Sequence, residues 1–507
     1  MKRTALMIMA ITLVSKIIGF GRELLLSYFY GASNVTDAYL IAITIPSVIL
    51  GFVIQSVASI YIPQYSGIEN VEGREVADKY TSNLINIITL LLTLIVIVSV
   101  VFTEPLIKIF ASGFEGKTFD LTVRFTRISI FSVYFIFLTR LFSAYLQIKN
   151  SFIITSLIGI PHAILLIISL ILSVKIHIIM LPIGIVAAAT FQLIFLTPLL
   201  LKKGYKHKIL FDFRDENIRK MTIMSVPVMM GLSVNQINVL VDRTIASRIT
   251  EGGISSLMYA RYLNDFMVAI FVLSLTTVIF PNISKLAAAN NMIAIKKSLK
   301  ESITTINIII IPATVGFMVL ASPIVSLIYK RGAFDATALT LTSSALFFYS
   351  IGMLGASFRT VLSKFFFSLG DTKTPNLTAI VAMVINIILN IILSKYLGIG
   401  GLALATSIAA IVSTGLMFIS LRKKIGSFGM RKISISFLKI LFASLVMGGL
   451  AKLSFNYLTA SLSQNLSLLH AIGVGGISYF VIIYFMKIED VDIIVGAIKK
   501  KLGRGAA

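Results

Sequence analysis

Long apolar runs, separated by short polar segments, follow one another along almost the whole chain. A helix needs roughly 20 apolar residues to cross a bilayer whose hydrocarbon core is about 30 Å thick. The runs reach about that length, and they lack the period-two alternation of barrel strands. The pattern predicts an all-α polytopic membrane protein with about fourteen transmembrane helices, numbered here as spans 1–14. Their predicted ranges are 5–30, 35–63, 83–103, 121–147, 152–174, 178–201, 221–247, 254–283, 302–321, 338–367, 376–396, 399–421, 434–455 and 466–486.

Composition agrees with this class. Of the 507 residues, 57% are hydrophobic and 13% are charged, which is too little charge to cover a soluble protein of this size. The lack of cysteine excludes a disulfide framework and a thiolate nucleophile or ligand. The four histidines are scattered, and no nucleotide-binding or hydrolase motif is present. We therefore expect no enzymatic activity, no metal site built from histidines and no organic cofactor.

The net charge of +24 is unevenly distributed. Basic residues concentrate in alternate loops, on the side where both termini lie if the number of spans is even. By the positive-inside rule this side is cytoplasmic. The charge is then mostly topological, with some attraction to anionic lipid, and nucleic acid is not an expected partner. The basic positions are Lys202, Lys203, Lys206, Lys208, Arg214, Arg219, Lys220, Lys285, Lys296, Lys297, Lys300, Arg422, Lys423, Lys424, Arg431, Lys432 and Lys499–Lys501.

An internal repeat divides the chain. Residues 60–66 resemble 278–284 at an offset of about 218 residues, and 104–114 resemble 322–334 at nearly the same offset. The offset spans six predicted helices, so both halves share one orientation and their pseudo-twofold axis lies along the membrane normal. The sequence predicts four segments. They are an N-terminal lobe (1–201), a basic cytoplasmic linker (202–220), a C-terminal lobe (221–421), and spans 13 and 14 with a basic cytoplasmic tail (422–507).

Spans 1 and 2 carry charge inside apolar sequence, at Lys16, Arg22, Glu23 and Asp37. An ionised group near the bilayer centre costs at least roughly 2.5 kcal/mol, and such groups usually face a bundle interior or a wet cavity. Both signs of charge within eight residues indicate a helix that lines a polar cavity.

Five motifs occur in a fixed order: SKIIGFGRE at 15–23, TDAY at 36–39, NQINVLVDRTIAS at 235–247, RGAFD at 331–335 and DTKTP at 371–375. With fourteen predicted spans, the whole chain resembles the MurJ/MviN family of lipid II flippases, in the multidrug/oligosaccharidyl-lipid/polysaccharide exporter superfamily. The resemblance implies a V-shaped bundle with a central cationic cavity, beside a hydrophobic groove formed with spans 13 and 14. It also implies transfer of an undecaprenyl-pyrophosphate-linked disaccharide-pentapeptide to the outer leaflet of a bacterial cytoplasmic membrane.

The resemblance assigns substrate-binding roles in the first two spans. Arg22 matches the first-helix arginine of the family, Lys16 a second basic position, and Asp37 an acid in span 2 that would orient or release the cations. Arginine suits a pyrophosphate because its planar fork binds phosphate oxygens bidentately and stays charged. The alternative is that Lys16 snorkels to the interface and that Arg22 and Glu23 form a structural pair.

Two departures from the family make the cavity less basic. Span 2 has Leu50, Gly51 and Gln55 where the family has basic residues followed, a turn later, by an acid. In span 8, Tyr262 holds the arginine position of the family, and Arg261 precedes it, rotated by about 100° on a helix. Arg261 and Arg359 are therefore further candidates for the substrate site.

A second set of candidates is Asp242 in span 7, Asn386 and Asn390 in span 11, and Thr406 in span 12. Their oxygens suit a small cation. The resemblance implies a sodium site here, with an acid expected at position 390. A coupling monovalent cation, sodium or proton, is thus a candidate. In the alternative, Asp242 pairs with Arg243 and the asparagines bond across helices.

The function predicted is a lipid II flippase that works by alternating access, with lipid II, membrane lipids and candidate cell-wall synthesis proteins as partners. The runner-up is an exporter of another undecaprenyl-linked glycan, because of the missing cations. A drug exporter is disfavoured because cationic drugs prefer an acidic cavity. An enzyme acting on polyprenyl lipids would need a carboxylate or histidine cluster, and a scaffold protein would not need buried charge.

Overall fold

The computed structural model describes residues 2–486. Within that range the side chains at 2–6, 52–59, 227, 228, 230–233, 235, 273, 274, 277 and 278 are not described. Gln55 and the basic tail with Lys499–Lys501 therefore lie outside the described residues. The described backbone is helical, with no strand between residues 2 and 486, and this confirms the all-α fold class.

The chain forms two compact units. The first comprises residues up to Ser255 together with Arg331–Phe334. Its helices are α1 (Lys2–Tyr30), α2 (Asn34–Glu72), α3 (Arg74–Val101), α4 (Thr103–Phe110), α5 (Gly116–Ser129), α6 (Ser132–Ile148), α7 (Phe152–Leu157), α8 (Gly159–Lys175), α9 (Met180–Lys202) and α10 (Glu216–Ile249).

The second unit comprises residues 256–330 and those from Asp335 onward. Its helices are α11 (Gly253–Val268, which begins in the first unit), a π-helical turn (Ala269–Leu273), α12 (Ser274–Ala288), α13 (Met292–Val319), α14 (Ala321–Tyr329), α15 (Ala336–Ser368), α16 (Lys373–Leu397), α17 (Ile399–Ile425), α18 (Met430–Leu458) and α19 (Gln464–Phe485).

In the described part of the chain, ten helical stretches are long and apolar enough to cross a membrane. The pair α5–α6, bent by 43°, makes an eleventh if it counts as one span. These eleven coincide with predicted spans 2–6 and 9–14. Predicted spans 1, 7 and 8 correspond to α1, α10 and the α11–α12 segment, which carry charged residues in their interiors. Their crossing of the membrane remains a prediction.

Helix α2 is central to the first unit and packs against α3, α5, α6 and α10. At its C-terminal end, a cluster of tyrosines fills the space between α2, α3 and α6. Tyr61 and Tyr65 are buried, and the Tyr61 ring stacks on Tyr80 with centroids 6.2 Å apart. The Tyr65 ring meets Tyr145 edge to face at 5.4 Å. Such aromatic pairs stabilise a core beyond the area they bury.

In the second unit, α15 packs along α13 and α17. Gly352 and Gly355 allow α17 to approach closely, since a Cβ at position 352 would lie 2.6 Å from Ser407 Cα. Small residues at such crossings are typical of membrane helix packing. The α18–α19 pair lies against α13, where the Tyr479 hydroxyl donates a hydrogen bond of 2.7 Å to the Ile308 carbonyl.

Candidate functional site

The first candidate cation lies in the first unit. Arg22 forms an ion pair with the neighbouring Glu23 on α1. The Glu23 side chain is 1% exposed, whereas the Arg22 side chain is 20% exposed. A buried carboxylate needs a cation partner, because an unpaired charge is costly to bury. Arg22 thus compensates Glu23, and part of the Arg22 side chain stays exposed. The two alternative roles, structural pair and headgroup ligand, are compatible.

Two further basic side chains lie near Arg22. His162 on α8 is close enough to Arg22 and to Arg140 on α6 to interact electrostatically with both. The sequence pattern did not indicate this grouping, because the three residues are more than 100 positions apart or on different helices. Lys16 is exposed on α1, about 1.7 helical turns before Arg22. Arg140 therefore adds a positive charge to this region that spans 1 and 2 alone do not predict.

Asp37 is completely buried at the start of α2. Its Oδ1 accepts hydrogen bonds from the Ser255 backbone N–H at 2.8 Å and the Ser255 hydroxyl at 2.7 Å. Its Oδ2 accepts one from the Gly252 N–H at 2.9 Å. These N–H groups belong to the start of α11, where the first N–H groups of a helix have no partner within it and a carboxylate is favourable. In this conformation Asp37 holds the turn at 250–255, and Arg243 lies near enough to interact electrostatically with it.

Three turns meet around Asp37 within the first unit. The Ala333 N–H donates to the Tyr28 carbonyl at 2.8 Å, so the 331–334 segment lies on the end of α1. Gly252 and Gly332 both have positive φ, and a Cβ at either would collide with a carbonyl oxygen, of Ala32 and Tyr28 respectively. Only glycine combines such a backbone with so close an approach. The TDAY and RGAFD motifs, almost 300 residues apart, thus converge in one place.

The end of α10 is fixed by the turn after α4. Thr244 donates to the Ile109 carbonyl at 2.8 Å, and the Ser247 hydroxyl accepts from the Gly113 N–H at 3.1 Å. Arg248 donates to the Ser112 hydroxyl at 2.6 Å. Thr244 and Ser247 therefore bond the 235–247 motif to the repeat segment at 104–114.

The second unit has its own basic pair. Arg261 on α11 forms an ion pair with Asp265 one turn later, at 3.5 Å, and both side chains are about half exposed. Arg359 on α15 is exposed and lies within electrostatic range of Arg261. The structure therefore brings together the two arginines predicted as replacements for the family residue at position 262.

The amides of the second candidate set form a chain in the second unit. Asn390 donates to Asn386 Oδ1 at 3.0 Å, and Asn386 donates to the Thr406 hydroxyl at 3.2 Å. Asn386 and Asn390 are at most 1% exposed. This is the cross-helix bonding that the sequence offered as the alternative to cation binding. Asp242 lies on α10 in the first unit, half buried.

As a cation site, this set supplies neutral oxygens within the second unit. Asn386 Oδ1 already accepts an amide N–H, so an ion would have to share or replace that bond. Neutral amide and hydroxyl oxygens suit a weakly held monovalent ion better than a divalent one. No group of three or more His, Cys, Asp and Glu side chains with metal-binding geometry occurs among the described residues.

The DTKTP motif is a helix start. Asp371 accepts from the Thr374 N–H at 3.0 Å and its hydroxyl at 2.9 Å, and pairs with Lys424 at 2.9 Å. These bonds, that to the Thr374 backbone first, lower the pKa of Asp371 to about 2. The motif thus stabilises the beginning of α16 and joins it to the end of α17.

An apolar pocket of about 460 Å³ lies in the first unit between α2, α3, α4 and α10. The sequence pattern did not indicate it. Gln236 is the polar residue of a lining made of Val48, Ile49, Ile95, Phe110, Gln236, Ile237 and Leu240. Gln236 also contacts Gly51, where a Cβ would lie 2.5 Å from the amide nitrogen. There is accordingly no room for a long cationic side chain at position 51 without moving Gln236.

A family model described as "Lipid II flippase MurJ" matches residues 26–472. A probable lipid II flippase MurJ of Rickettsia prowazekii is 28% identical over 421 residues, covering 82% of this chain and 83% of its own. One from Vibrio cholerae is 26% identical over 515 residues and covers 97% of both chains. The lipid II flippase MurJ of Burkholderia cenocepacia is 25% identical over 432 residues, covering 83% of this chain and 84% of its own.

Among solved structures, a lipid II flippase MurJ in an inward closed conformation matches with a TM-score of 0.82 and 29% identity. The match covers 95% of this chain and 98% of that one. An inward-facing multidrug transporter of the MATE family matches with a TM-score of 0.69 at 15% identity, over 84% of this chain and 99% of that one, and shares the fold alone. From the family match across most of its length, the chain belongs to the MurJ family of lipid II flippases.

Proposed function

We propose that this protein translocates lipid II, the undecaprenyl-pyrophosphate-linked peptidoglycan precursor, from the inner to the outer leaflet of the bacterial cytoplasmic membrane. The observation that carries the proposal is the family match over residues 26–472, together with similarity to a lipid II flippase structure over 95% of the chain. The protein is a transporter that supplies cell-wall synthesis. It has fourteen spans, and both termini lie in the cytoplasm.

The headgroup is held by fixed cations. Arg22 binds pyrophosphate oxygens, and its ion pair with Glu23 fixes the orientation of the guanidinium. Lys16, Arg140 and His162 add positive potential or donors around it. Within the second unit, Arg261 and Arg359 are the candidate cations for the headgroup. The polyprenyl tail stays in the bilayer while alternating access exposes the headgroup first to one side and then to the other.

Asp37 acts at a different step. Its carboxylate is saturated by N–H and O–H donors of residues 252 and 255, so it holds one closed arrangement of the turns at 31–34, 250–255 and 331–334. Opening on that side must break these bonds. Asp37 then becomes available to compete for a nearby cation and help release the headgroup.

A monovalent cation is a further element of this proposal. Asn386, Asn390 and Thr406 would hold it with neutral oxygens. Bound there, it would couple transport to the membrane potential, where one elementary charge gains roughly 2.3 kcal/mol per 100 mV.

A second cargo is favoured by one observation. Gly51 lies against Gln236, so span 2 lacks a basic residue at a position where the family has one. A cavity with fewer cations would suit a glycan attached through a different or less charged headgroup. The alternative function is therefore export of another undecaprenyl-linked polysaccharide unit.

The test uses bacterial cells whose own lipid II flippase can be shut off. The measurement is the fraction of lipid II cleaved by an externally added, membrane-impermeant lipid II-cleaving enzyme. Wild type should restore cleavage, whereas Arg22→Ala should not. Arg127→Ala is the matched control, because that arginine is half exposed and its ion pair with Glu104 is long, at 3.9 Å.

Loss of folding is separated from loss of function by a second variant. In Arg22→Gln/Glu23→Gln the buried carboxylate and its cation are removed together, so the core remains neutral. This variant should reach the membrane at wild-type level and still fail to restore cleavage. Restoration by the double variant would overturn the role of Arg22. Failure of well-expressed wild type would overturn lipid II as cargo and favour the other glycan.

A further inference from the structure

The linker between α9 and α10 exposes apolar side chains. Ile209 is 85% exposed, Phe211 53% and Phe213 62%. They occupy every second position, and the residues between them, Leu210 and Asp212, bond to α3 through backbone groups. We call residues 206–214 the linker strip. Three exposed apolar side chains in one loop are unusual, because the loops of a membrane protein mostly face water, where polar side chains are favoured.

The linker strip is held tightly to α3. Asn86 donates from Nδ2 to the carbonyls of Lys208 and Leu210, at 3.1 and 2.9 Å. Asn83 donates to the Asp212 carbonyl at 2.8 Å and accepts from the Asp212 N–H at 2.9 Å. These bonds fix the backbone of the strip on α3, while the side chains of Ile209, Phe211 and Phe213 remain exposed.

The position of these asparagines on α3 places the strip at a definite depth. At 1.5 Å per residue, Asn83 and Asn86 lie about 27 and 22 Å from the far end of α3 at Val101. That distance is a little less than the roughly 30 Å of the hydrocarbon core. Beyond Asn86, exposed apolar residues follow from Leu90 onward, one turn further along α3. The strip therefore runs along the edge of the lipid-facing band.

The charge of the linker also fits a position at the membrane surface. Residues 202–220 contain seven basic and three acidic residues. Lys206 and Arg214 flank the apolar row and are exposed. Basic residues around aromatic and aliphatic side chains are the composition of an interfacial, anionic-lipid-binding segment.

We propose that the linker strip is a membrane-surface anchor. It inserts Ile209, Phe211 and Phe213 between the headgroups of the leaflet and holds anionic headgroups with Lys206 and Arg214. Through Asn83 and Asn86, the strip then moves with α3, so the segment that joins the repeat halves is fixed to one helix and one leaflet.

The chain contains no tryptophan, so a single tryptophan reports its own surroundings. The test is Phe211→Trp in proteoliposomes, with lipids brominated on the acyl chain as membrane quenchers and iodide as the aqueous quencher. The matched control is Val71→Trp. Val71 is 85% exposed on the same end of the bundle, but it lies beyond the start of α3 and beside Glu69 and Glu72.

We expect blue-shifted emission from Phe211→Trp, strong quenching by brominated lipid and weak quenching by iodide. Val71→Trp should show the reverse. Equal iodide quenching of both variants would overturn the anchor. Protection of Phe211→Trp from both quenchers would also overturn it, because that result indicates a protein surface, such as a second copy, over the strip.

A separate measurement tests the recognition of anionic headgroups by Lys206 and Arg214. Quenching of Phe211→Trp by brominated lipid should increase when phosphatidylglycerol replaces part of the phosphatidylcholine, and Lys206→Gln/Arg214→Gln should remove that increase. Quenching that is equally strong in both lipid mixtures would overturn the recognition of anionic headgroups.

Discussion

The Asp37 carboxylate accepts hydrogen bonds from the N–H and the hydroxyl of Ser255, one repeat length away: the two residues are 218 positions apart, which is the offset between residues 60–66 and 278–284. Equivalent positions of the two sequence halves are thus bonded to each other. Three donors, two from Ser255 and one from Gly252, satisfy both oxygens of this fully buried carboxylate.

Replacement of Asp37 by asparagine should destabilise the folded protein. The amide keeps one acceptor oxygen but turns an N–H group toward the donors of residue 252 or 255. Leaving buried donors unsatisfied costs about 1–3 kcal/mol. Thermal unfolding in detergent should show a lower Tm for Asp37→Asn. The control Asp335→Asn should stay near wild type, because Asp335 is an exposed N-cap and asparagine caps equally well.

Gly332→Ala should prevent the turn at 331–334 from packing against the end of α1. Both Gly332→Ala and Gly370→Ala place alanine at a positive φ, which costs roughly 1–2 kcal/mol. A Cβ at Gly332 would also collide with the Tyr28 carbonyl, whereas nothing lies within 4 Å of one at Gly370. Gly332→Ala should therefore lower the Tm further than Gly370→Ala. Equal effects would contradict the close approach.

Arg22→Ala should be much less stable than Arg22→Gln/Glu23→Gln. The single change leaves the buried Glu23 carboxylate without its paired cation, a situation that costs about 3–5 kcal/mol in buried ion pairs. The double change removes both charges. The measurement is the Tm of each purified variant. If the single variant is as stable as the double variant, Glu23 is compensated by another group.

Asp371 should stabilise α16 at neutral pH and lose that effect in acid. Its pKa is lowered to about 2 by the Thr374 N–H and by Lys424, compared with about 3.9 in an unfolded chain. A lowered pKa stabilises the folded state fully above the unfolded value, and the effect disappears as the pH falls through the folded value. Asp371→Ala should lower the Tm at pH 7, and its difference from wild type should shrink between about pH 4 and pH 2.

Asn390→Asp should make the stability of the protein depend on sodium. A carboxylate beside Asn386 and Thr406 adds the charge that the neutral cluster lacks, and a ligand that binds the folded state raises its stability. The Tm of Asn390→Asp should rise when sodium chloride replaces choline chloride, by more than that of wild type. Asn386→Ala/Asn390→Asp should lose the increase. No sodium effect in either variant would argue against cation binding at this position.

The apolar periodicity predicted most membrane-crossing helices of the described chain, because burial in lipid imposes about 20 apolar residues on each. The polar exceptions, such as Lys16, Arg22 and Arg261, were identified as candidates for the same reason. Their roles were less predictable. The proximity of Arg261 to Arg359, and the grouping of Arg22 with His162 and Arg140, depend on how the helices pack.

The sequence by itself determined the fold class, the approximate helix positions and the family, since hydropathy and ordered motifs are properties of a linear chain. The partners of Asp37, the closure of the turns at Gly252 and Gly332, and the binding of the linker strip by Asn83 and Asn86 were decided only by the tertiary structure. Each is a directional contact between residues more than 100 positions apart. Hydrogen bonds act over about 3 Å, so their partners are defined only after packing has brought the helices together.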